Sequence, residues 1–157
     1  MCTGVRFADA AGNLYFGRNL DWCESYGEGV VITPRGASIP TQFLGSLSPE
    51  HACVGMGIVV GGVPCYFDCA NEAGLAIAGL NFPGYAQFAE DPEKGAVNVA
   101  AYEFPLWVAA SFSTVAEVRK ALKDVVIVAK APSEGYGVAQ LHWLVGDGKE
   151  SIVIECQ

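Results

Sequence analysis

The stretch that decides the fold is the amino terminus, Met1-Cys2-Thr3-Gly4-Val5-Arg6-Phe7, together with Gly17-Arg18-Asn19-Leu20-Asp21-Trp22. Removal of the initiator Met1 would leave Cys2 with both a thiol and a free α-amine. A thiol of pKa ~8.5 is only partly ionised at neutral pH, whereas an α-amine of pKa roughly 7.7–8.0 accepts a proton there. The sequence therefore predicts a nucleophile and its base on a single residue.

This pairing of thiol and amine on Cys2 is typical of N-terminal-nucleophile hydrolases. Two structural alternatives remain open from the residues alone. A second-position cysteine can simply be a small residue that permits methionine removal, and residues 17–21 can form a turn with a surface ion pair. Lipidation of Cys2 is excluded, because no apolar segment precedes it.

The opening stretch is predicted to form a β-hairpin. Residues 3–7 and 14–19 have the composition of strands, and turn-forming residues lie between them. A turn centred on Ala11 and Gly12 would set Cys2 opposite Asp21. The hairpin is therefore expected to bring a carboxylate to the thiol.

The charged residues Arg18 and Asp21 are the predicted partners of Cys2. Strand residues three positions apart point to opposite faces, so we expect a bulge or the strand end between Arg18 and Asp21. Arg18 would then stabilise the thiolate by its opposite charge, and Asp21 would orient the α-amine by a hydrogen bond.

Several runs of this sequence closely resemble the choloylglycine hydrolases, among which the bile salt hydrolases are the nearest members. The resemblance extends over the whole chain. It rests on Met1-Cys2-Thr3, Tyr15-Phe16-Gly17-Arg18-Asn19-Leu20-Asp21-Trp22, Tyr66-Phe67-Asp68-Cys69-Ala70-Asn71-Glu72, Gly74-Leu75-Ala76-Ile77-Ala78-Gly79-Leu80-Asn81-Phe82-Pro83-Gly84-Tyr85, Glu103-Phe104-Pro105-Leu106-Trp107, Leu141-His142-Trp143 and Gly146-Asp147-Gly148.

The resemblance implies hydrolysis of the amide bond of glycine- or taurine-conjugated bile salts, without a cofactor. Cys2 would be the nucleophile, Arg18 and Asp21 would poise it, and the backbone N–H of Asn81 would donate to the oxyanion. Related penicillin V acylases usually have tyrosine where this chain has Asn81, which favours bile salts over penicillin V. A penicillin V acylase-like amidase remains the alternative.

An apolar substrate pocket is expected directly beyond Asp21. The resemblance places Leu20, Trp22 and Tyr26 at the mouth of this pocket. From the residues alone, Trp22 and Tyr26 are equally well explained as a packed aromatic pair.

The resemblance also implies the fold, which is α+β with four layers arranged αββα, mostly antiparallel sheets covered by helices. Residues 1–157 are expected to form a single, incomplete domain, the N-terminal half of a family member. The family's second oxyanion asparagine and a further arginine would lie beyond this chain. The chain alone is therefore expected to be inactive, and a truncated, non-catalytic binding remnant is a further alternative.

Periodicity and turn signals predict the remaining elements. Residues 38–50 are expected to be a loop. Asn98 is predicted to cap a helix through Trp107 that Pro105 kinks or splits, and Ser113 to cap a helix over residues 114–123. Strands are predicted over residues 28–33, 53–60, 63–68, 74–81, 125–129, 140–145 and 151–155.

Composition narrows the possible partners. Nine basic against seventeen acidic residues give a net charge of −8, which disfavours binding to nucleic acid or anionic membranes. A long uncharged run, residues 52–67, contains glycines and a proline and predicts a buried hairpin instead of a membrane span. The hydrophobic content of 52% predicts exposed apolar faces or association, and the full-length form is expected to be a homo-oligomer.

The cysteines are expected to be reduced thiols of a cytoplasmic protein, since no secretory segment accompanies them. An even count of six also fits a disulfide framework. Four residues could be drawn as a tetrahedral metal set, but their spacing matches no paired-ligand pattern, and no metal is predicted. They are His51, Cys53, Cys65 and Cys69.

Overall fold

The computed structural model describes residues 2–156, so Met1, whose removal the chemistry of Cys2 requires, and Gln157 lie outside the described residues. Two α-helices, α1 (Phe104–Ser111) and α2 (Val115–Ala121), pack with a set of short strands. The strands are β1 (Thr3–Ala8), β2 (Leu14–Asn19), β3 (Gly29–Thr33), β4 (Ile39–Thr41), β5 (Gly45–Leu47), β6 (Cys53–Val60), β7 (Val63–Asn71), β8 (Ala76–Asn81), β9 (Val97–Ala100), β10 (Val125–Val128), β11 (Leu141–Gly146) and β12 (Ser151–Ile154).

A six-stranded sheet in the order β12-β11-β8-β7-β6-β3 forms the centre of the fold, and every neighbouring pair in it is antiparallel. The predicted hairpin between β6 and β7 is confirmed. Gly61 and Gly62 form its turn with φ of 58° and 84°, values that glycine adopts without steric cost. Strand β8 is buried on both faces except at Asn81, as its small residues predicted.

A β-bulge interrupts the pairing of β6 with β7. Met56 lies opposite Asp68 and Gly57 lies opposite Tyr66, so Phe67 is the extra residue on β7. A Cβ atom on Gly55 would lie 2.0 Å from the backbone oxygen of Asp68. The close approach of the two strands at the bulge therefore requires glycine on β6.

Helix α1 covers one face of the sheet and forms the core with it. The ring of Phe104 lies with its centroid 4.6 Å from that of Trp143 of β11, and both side chains are fully buried. Pro105 lies in the first turn of α1, where a proline removes no helical hydrogen bond. Proline therefore begins this helix and does not kink it.

One buried amide, that of Asn71, joins α1 to the turn between β7 and β8. Its Nδ2 group donates to the backbone oxygens of Ala109 (2.8 Å) and Phe112 (2.6 Å). Its Oδ1 atom accepts from the N–H groups of Ala73 and Leu75, each at 3.0 Å. The side chain thus bonds four backbone groups, of which those of Ala109 and Leu75 belong to fully buried residues.

The hairpin of β1 and β2 packs on the other face of the sheet. A Cβ atom on Gly4 would lie 2.9 Å from Leu144 Cδ2, and one on Gly146 would lie 3.1 Å from Phe16 Cδ2. Arg6 Nε donates to the backbone oxygen of Asp147 at 2.8 Å. The layers of the described residues therefore run from helix to sheet to hairpin.

The register of this hairpin differs by one residue from the prediction. Thr3 pairs with Asn19, so Cys2 and Asp21 are not directly opposite each other. The cause is the connection, which is a five-residue loop over 9–13 in place of a two-residue turn. In it the carboxylate of Asp9 accepts from the backbone N–H of Ala11 and Asn13.

Three local predictions are wrong. Residues 38–50 contain the two short strands β4 and β5. Asn98 lies within β9, and its side chain bonds backbone groups of Glu93 and Ala96 instead of capping a helix. The cap of α2 is Thr114, which forms a capping box with Glu117.

An apolar surface remains exposed on the hairpin side of the sheet, at the β3 edge. Val30 and Ile32 of β3 are 72% and 70% exposed and lie directly opposite Met56 and Val54 of β6, which are also exposed. Within residues 2–156, no helix is both long and apolar enough to cross a bilayer.

Candidate active site

A cavity of about 510 Å³ opens where β2 and β8 end. Its walls are mostly apolar, and among the described residues that line it only Arg18 is charged. The predicted site residues that the structure brings to this cavity are Cys2, Arg18, Leu20, Trp22, Tyr26 and Asn81.

The thiol of Cys2 lies in surroundings that favour its ionised form. Partial burial acts to raise its pKa, but hydrogen bonds from the backbone of Asn81 and Asp21, and the positive charge of Arg18, outweigh burial and lower the pKa below its usual value. A lower pKa increases the fraction of thiolate, which is the reactive form, at neutral pH.

Arg18 lies between the thiol and the central sheet. Its side chain is only 4% exposed, and its Nε donates to Asp68 Oδ2 of β7 at 2.9 Å. Because β2 ends at Asn19, the strand end separates Arg18 from Asp21, one of the two predicted arrangements. The structure does contain a β-bulge near this site, but it lies at Phe67 of β7, where no bulge was predicted.

Asp21 and Asn81 reach Cys2 through their backbone, from different elements. Asp21 lies just beyond the end of β2, and Asn81 is the last residue of β8, where it pairs with Leu141. The N–H of Asn81 lies at the thiol, the position from which it could donate to an oxyanion formed on an attacked carbonyl. The orientation of an α-amine by the Asp21 carboxylate stays a prediction.

An aromatic cluster forms the apolar wall. Trp22 Nε1 donates to the hydroxyl of Tyr26 at 3.1 Å, and their rings stack. Tyr26 also meets Phe67 edge-on at 6.1 Å and Tyr136 at 6.2 Å between ring centroids. Both interpretations of Trp22 and Tyr26 thus hold in part, since they pack together and also line the cavity.

Sequence reasoning missed two parts of the site. The first part is Phe67 and residues 137–141, which line the cavity. The second is Asp68, which forms an ion pair with Arg18. The run Tyr66-Phe67-Asp68 carried a usable signal, because a charge that breaks the apolar alternation of a central strand is expected at a bulge or at a partner cation.

Three other titratable groups, Cys53, Cys65 and His142, have surroundings that differ from those of Cys2. Burial raises the pKa of Cys53 and of Cys65 to about 11. His142 stacks on Phe82 and contacts Glu155 at 3.2 Å, and it is not among the residues that line the cavity. Within residues 2–156 no cluster of histidine, cysteine and carboxylate side chains could hold a metal ion, and all six cysteines are free.

The sequence is similar to several bacterial enzymes over nearly all of its length. It is 56% identical over 156 residues to a bile salt hydrolase/transferase of Bifidobacterium longum subsp. longum, covering 99% of this chain and 49% of that protein. It is 53% identical over 155 residues to a conjugated bile acid hydrolase of Lactobacillus gasseri, with the same coverage. The chain therefore spans about half the length of these relatives.

Solved structures show the same fold. The C2A variant of conjugated bile acid hydrolase from Clostridium perfringens matches with a TM-score of 0.95 and 36% identity, over 100% of this chain and 48% of that one. Penicillin V acylase from Agrobacterium tumefaciens matches over 100% of this chain and 47% of that one with a TM-score of 0.77, but at 20% identity this likeness concerns the fold alone. The predicted α+β fold of N-terminal-nucleophile hydrolases is confirmed.

The family assignment rests on sequence as well as on fold. A family model for linear amide C–N hydrolases of the choloylglycine hydrolase family matches residues 2–157. That match includes every residue named above as lining the cavity, together with Asp21 and Asp68. The chain belongs to the choloylglycine hydrolase family.

Proposed function

We propose that the whole protein hydrolyses the amide bond of glycine- or taurine-conjugated bile salts, with Cys2 as its nucleophile. The observation that carries this proposal is the thiol itself, whose pKa is lowered by Asn81, Asp21 and Arg18 at the wall of an apolar cavity. The relatives that bear names of bile salt hydrolases support the choice of substrate.

The reaction proceeds through a thioester. Once Met1 is removed, the α-amine of Cys2 takes the thiol proton, and the thiolate attacks the amide carbonyl carbon. The N–H of Asn81 donates to the oxyanion of the tetrahedral intermediate. As the C–N bond breaks, the amine leaves with the proton that the α-amine held, and water then hydrolyses the thioester to release the bile acid.

The cavity suits a rigid apolar acyl group. Its walls include Leu20, Trp22, Tyr26 and Phe67, and the first three are more than two-fifths exposed without a ligand. Burial of such side chains against a steroid would stabilise the complex by roughly 25 cal/mol per Å² of apolar area. The side chain of Arg18 is largely buried, so solvent screens the attraction between its charge and the Cys2 thiolate only weakly.

The test compares C2A with C23A in the full-length natural protein that carries this sequence. Cys23 is an exposed free cysteine near the cavity and serves as the matched control. We expect C2A to lose at least about 10³-fold in the release of glycine from glycocholate, because its nucleophile is gone, and C23A to keep its rate.

Equal rates for C2A and the unmutated protein would contradict the assignment of the nucleophile. If the protein with its thiol intact releases phenoxyacetic acid from penicillin V, but neither glycine nor taurine from bile salt conjugates, the substrate class is contradicted and the penicillin V acylase-like alternative is favoured. Binding of glycocholate without turnover in the full-length protein would favour the non-catalytic alternative.

Assembly and location form part of the same proposal. The protein is proposed to be a homo-oligomer, which the exposed apolar residues of β3 and β6 support. A cytoplasmic location is supported by the six free cysteines, since reducing compartments keep thiols unpaired. Size-exclusion chromatography with light scattering and cell fractionation test these two statements.

A further inference from the structure

The ion pair between Arg18 and Asp68 joins the nucleophile's hairpin to the central sheet across fifty positions of sequence. Arg18 lies between two cavities. Cys2 lines the cavity of about 510 Å³ in front of it, and Asp68 lines a second groove of about 330 Å³ behind it. The guanidinium therefore has the thiol on one side and a carboxylate on the other.

The β7 bulge turns Phe67 to the same side of the sheet as Asp68. Cys69 faces α1, where its thiol lies 3.7 Å from the backbone oxygen of Pro105. Asp68 faces the hairpin, and the extra residue allows Phe67 to line the front cavity as well. Regular alternation would have turned Phe67 and Asp68 to opposite faces.

Arg18 depends on this partner more than an exposed arginine would. Its side chain is 4% exposed, against 35% for Asp68, so water reaches the carboxylate but hardly reaches the guanidinium. A largely desolvated cation without a counter-charge is unfavourable and moves toward water where it can. The second groove offers such a route away from the thiol.

We propose that Asp68 is a positioning residue that anchors Arg18 behind Cys2 and so keeps the thiolate form of the nucleophile. The inference rests on the proposed function, because it needs Cys2 to be the nucleophile. Among residues 2–156, Arg18 on β2 is the charged side chain that acts on the thiol, Asp68 on β7 pairs with Arg18, and Asp21 beyond β2 reaches the thiol through its backbone.

The test measures the pH profile of Cys2 alkylation by iodoacetamide in the full-length natural protein, with Cys23 changed to serine. Mass spectrometry of the peptide that contains residue 2 reports the reaction. The profile midpoint is compared among the unmutated protein, D68A and D68N. Asparagine keeps an oxygen that can accept from Arg18 Nε but removes the charge, so it separates anchoring from charge.

We expect D68A to raise the midpoint by about one pH unit, because Arg18 leaves the thiol. D68N should keep the midpoint at or below that of the unmutated protein, since the anchor remains and a negative charge is lost. In an R18L background, D68A should no longer raise the midpoint, because no guanidinium is left for Asp68 to anchor.

A lower midpoint in both D68A and D68N would mean that Asp68 acts by its charge alone. An unchanged midpoint in both variants would mean that Asp68 does not act on Cys2. Either result overturns the inference. D68S replaces D68A if the alanine variant does not fold, and failure of both to fold would show a merely structural role and overturn it too. An ordinary midpoint near pH 8.5 in the unmutated protein would instead count against the proposed function itself.

Discussion

The six cysteines of this chain are one chemical group in different surroundings. Cys2 has hydrogen-bond donors and a cation beside it, which lower its pKa, whereas burial raises the pKa of Cys69 well above its usual value. A thiol in the core is therefore an unreactive small apolar group. The position of Cys2 in the sequence predicted a nucleophile, but the donors that ionise it come from β8 and from the residues after β2.

Glu72 is another residue whose surroundings define its behaviour. Its carboxylate accepts from Arg35 Nε and from the backbone N–H of Ala52, and these bonds lower its pKa from 4.5 to about 2. Because the folded pKa is the lower one, the stabilising contribution is present above about pH 4.5 and is lost as the pH falls toward 2.

We therefore expect E72Q to lower the urea midpoint of unfolding at pH 7 and to have little effect near pH 2. Glu134→Gln, an exposed carboxylate in the loop after β10, is the matched control and should be neutral at both pH values. Urea unfolding followed by circular dichroism measures both. An effect of E72Q that persists at pH 2 would show that the charge of Glu72 is not what stabilises its contacts with Arg35 and Ala52.

At the scale of the element, alternation predicted most strands and the pairing of β6 with β7, but neither the register of the first hairpin nor the β7 bulge. Strands β6, β8 and β11 lie close to the predicted ranges, because their burial follows from local pattern. The hairpin register and the β7 bulge depend on hydrogen bonds inside residues 9–13 and on glycines of the neighbouring strand. The alternation of apolar and polar residues along one strand contains no information about these hydrogen bonds or about the neighbouring strand.

The bulge gives a test at this scale. We expect G55A to lower the free energy of unfolding by about 2–4 kcal/mol, because its Cβ would lie 2.0 Å from the backbone oxygen of Asp68 and the strands would have to separate. Gly29 of β3 has open space where its Cβ would stand, so G29A is the control and should be close to neutral. Chemical denaturation measures both variants.

G55A should also move Asp68 away from Arg18 and slow the alkylation of Cys2. If G55A is as stable as G29A, the close approach at the bulge is not a constraint on the sequence.

At the scale of the whole molecule, the apolar content predicted a surface that the described residues leave uncovered. Val30 and Ile32 form its outer edge on β3. Contiguous apolar surface of this kind promotes association. A protein limited to these 157 residues is expected to associate and, for want of the groups that the resemblance places elsewhere, to be inactive.

Ile32→Thr should reduce light scattering by the isolated 157-residue chain, because it places a hydroxyl at the exposed outer edge of the apolar surface. Val153→Thr on β12 is the control. Val153 is also exposed, at 56%, but lies at the opposite edge of the sheet. Equal scattering by the two variants would mean that association does not use the β3 edge.

The packing of the first hairpin on β11 also has a consequence for biosynthesis. Cys2 and Arg18 leave the ribosome first, but the surface that receives their hairpin includes Leu144, Gly146 and Asp147. At 5–20 residues per second, a nascent chain waits on the order of ten seconds for these residues. During this interval the amino terminus is accessible to the enzymes that remove methionine, and the thiol is not yet held in the setting that activates it.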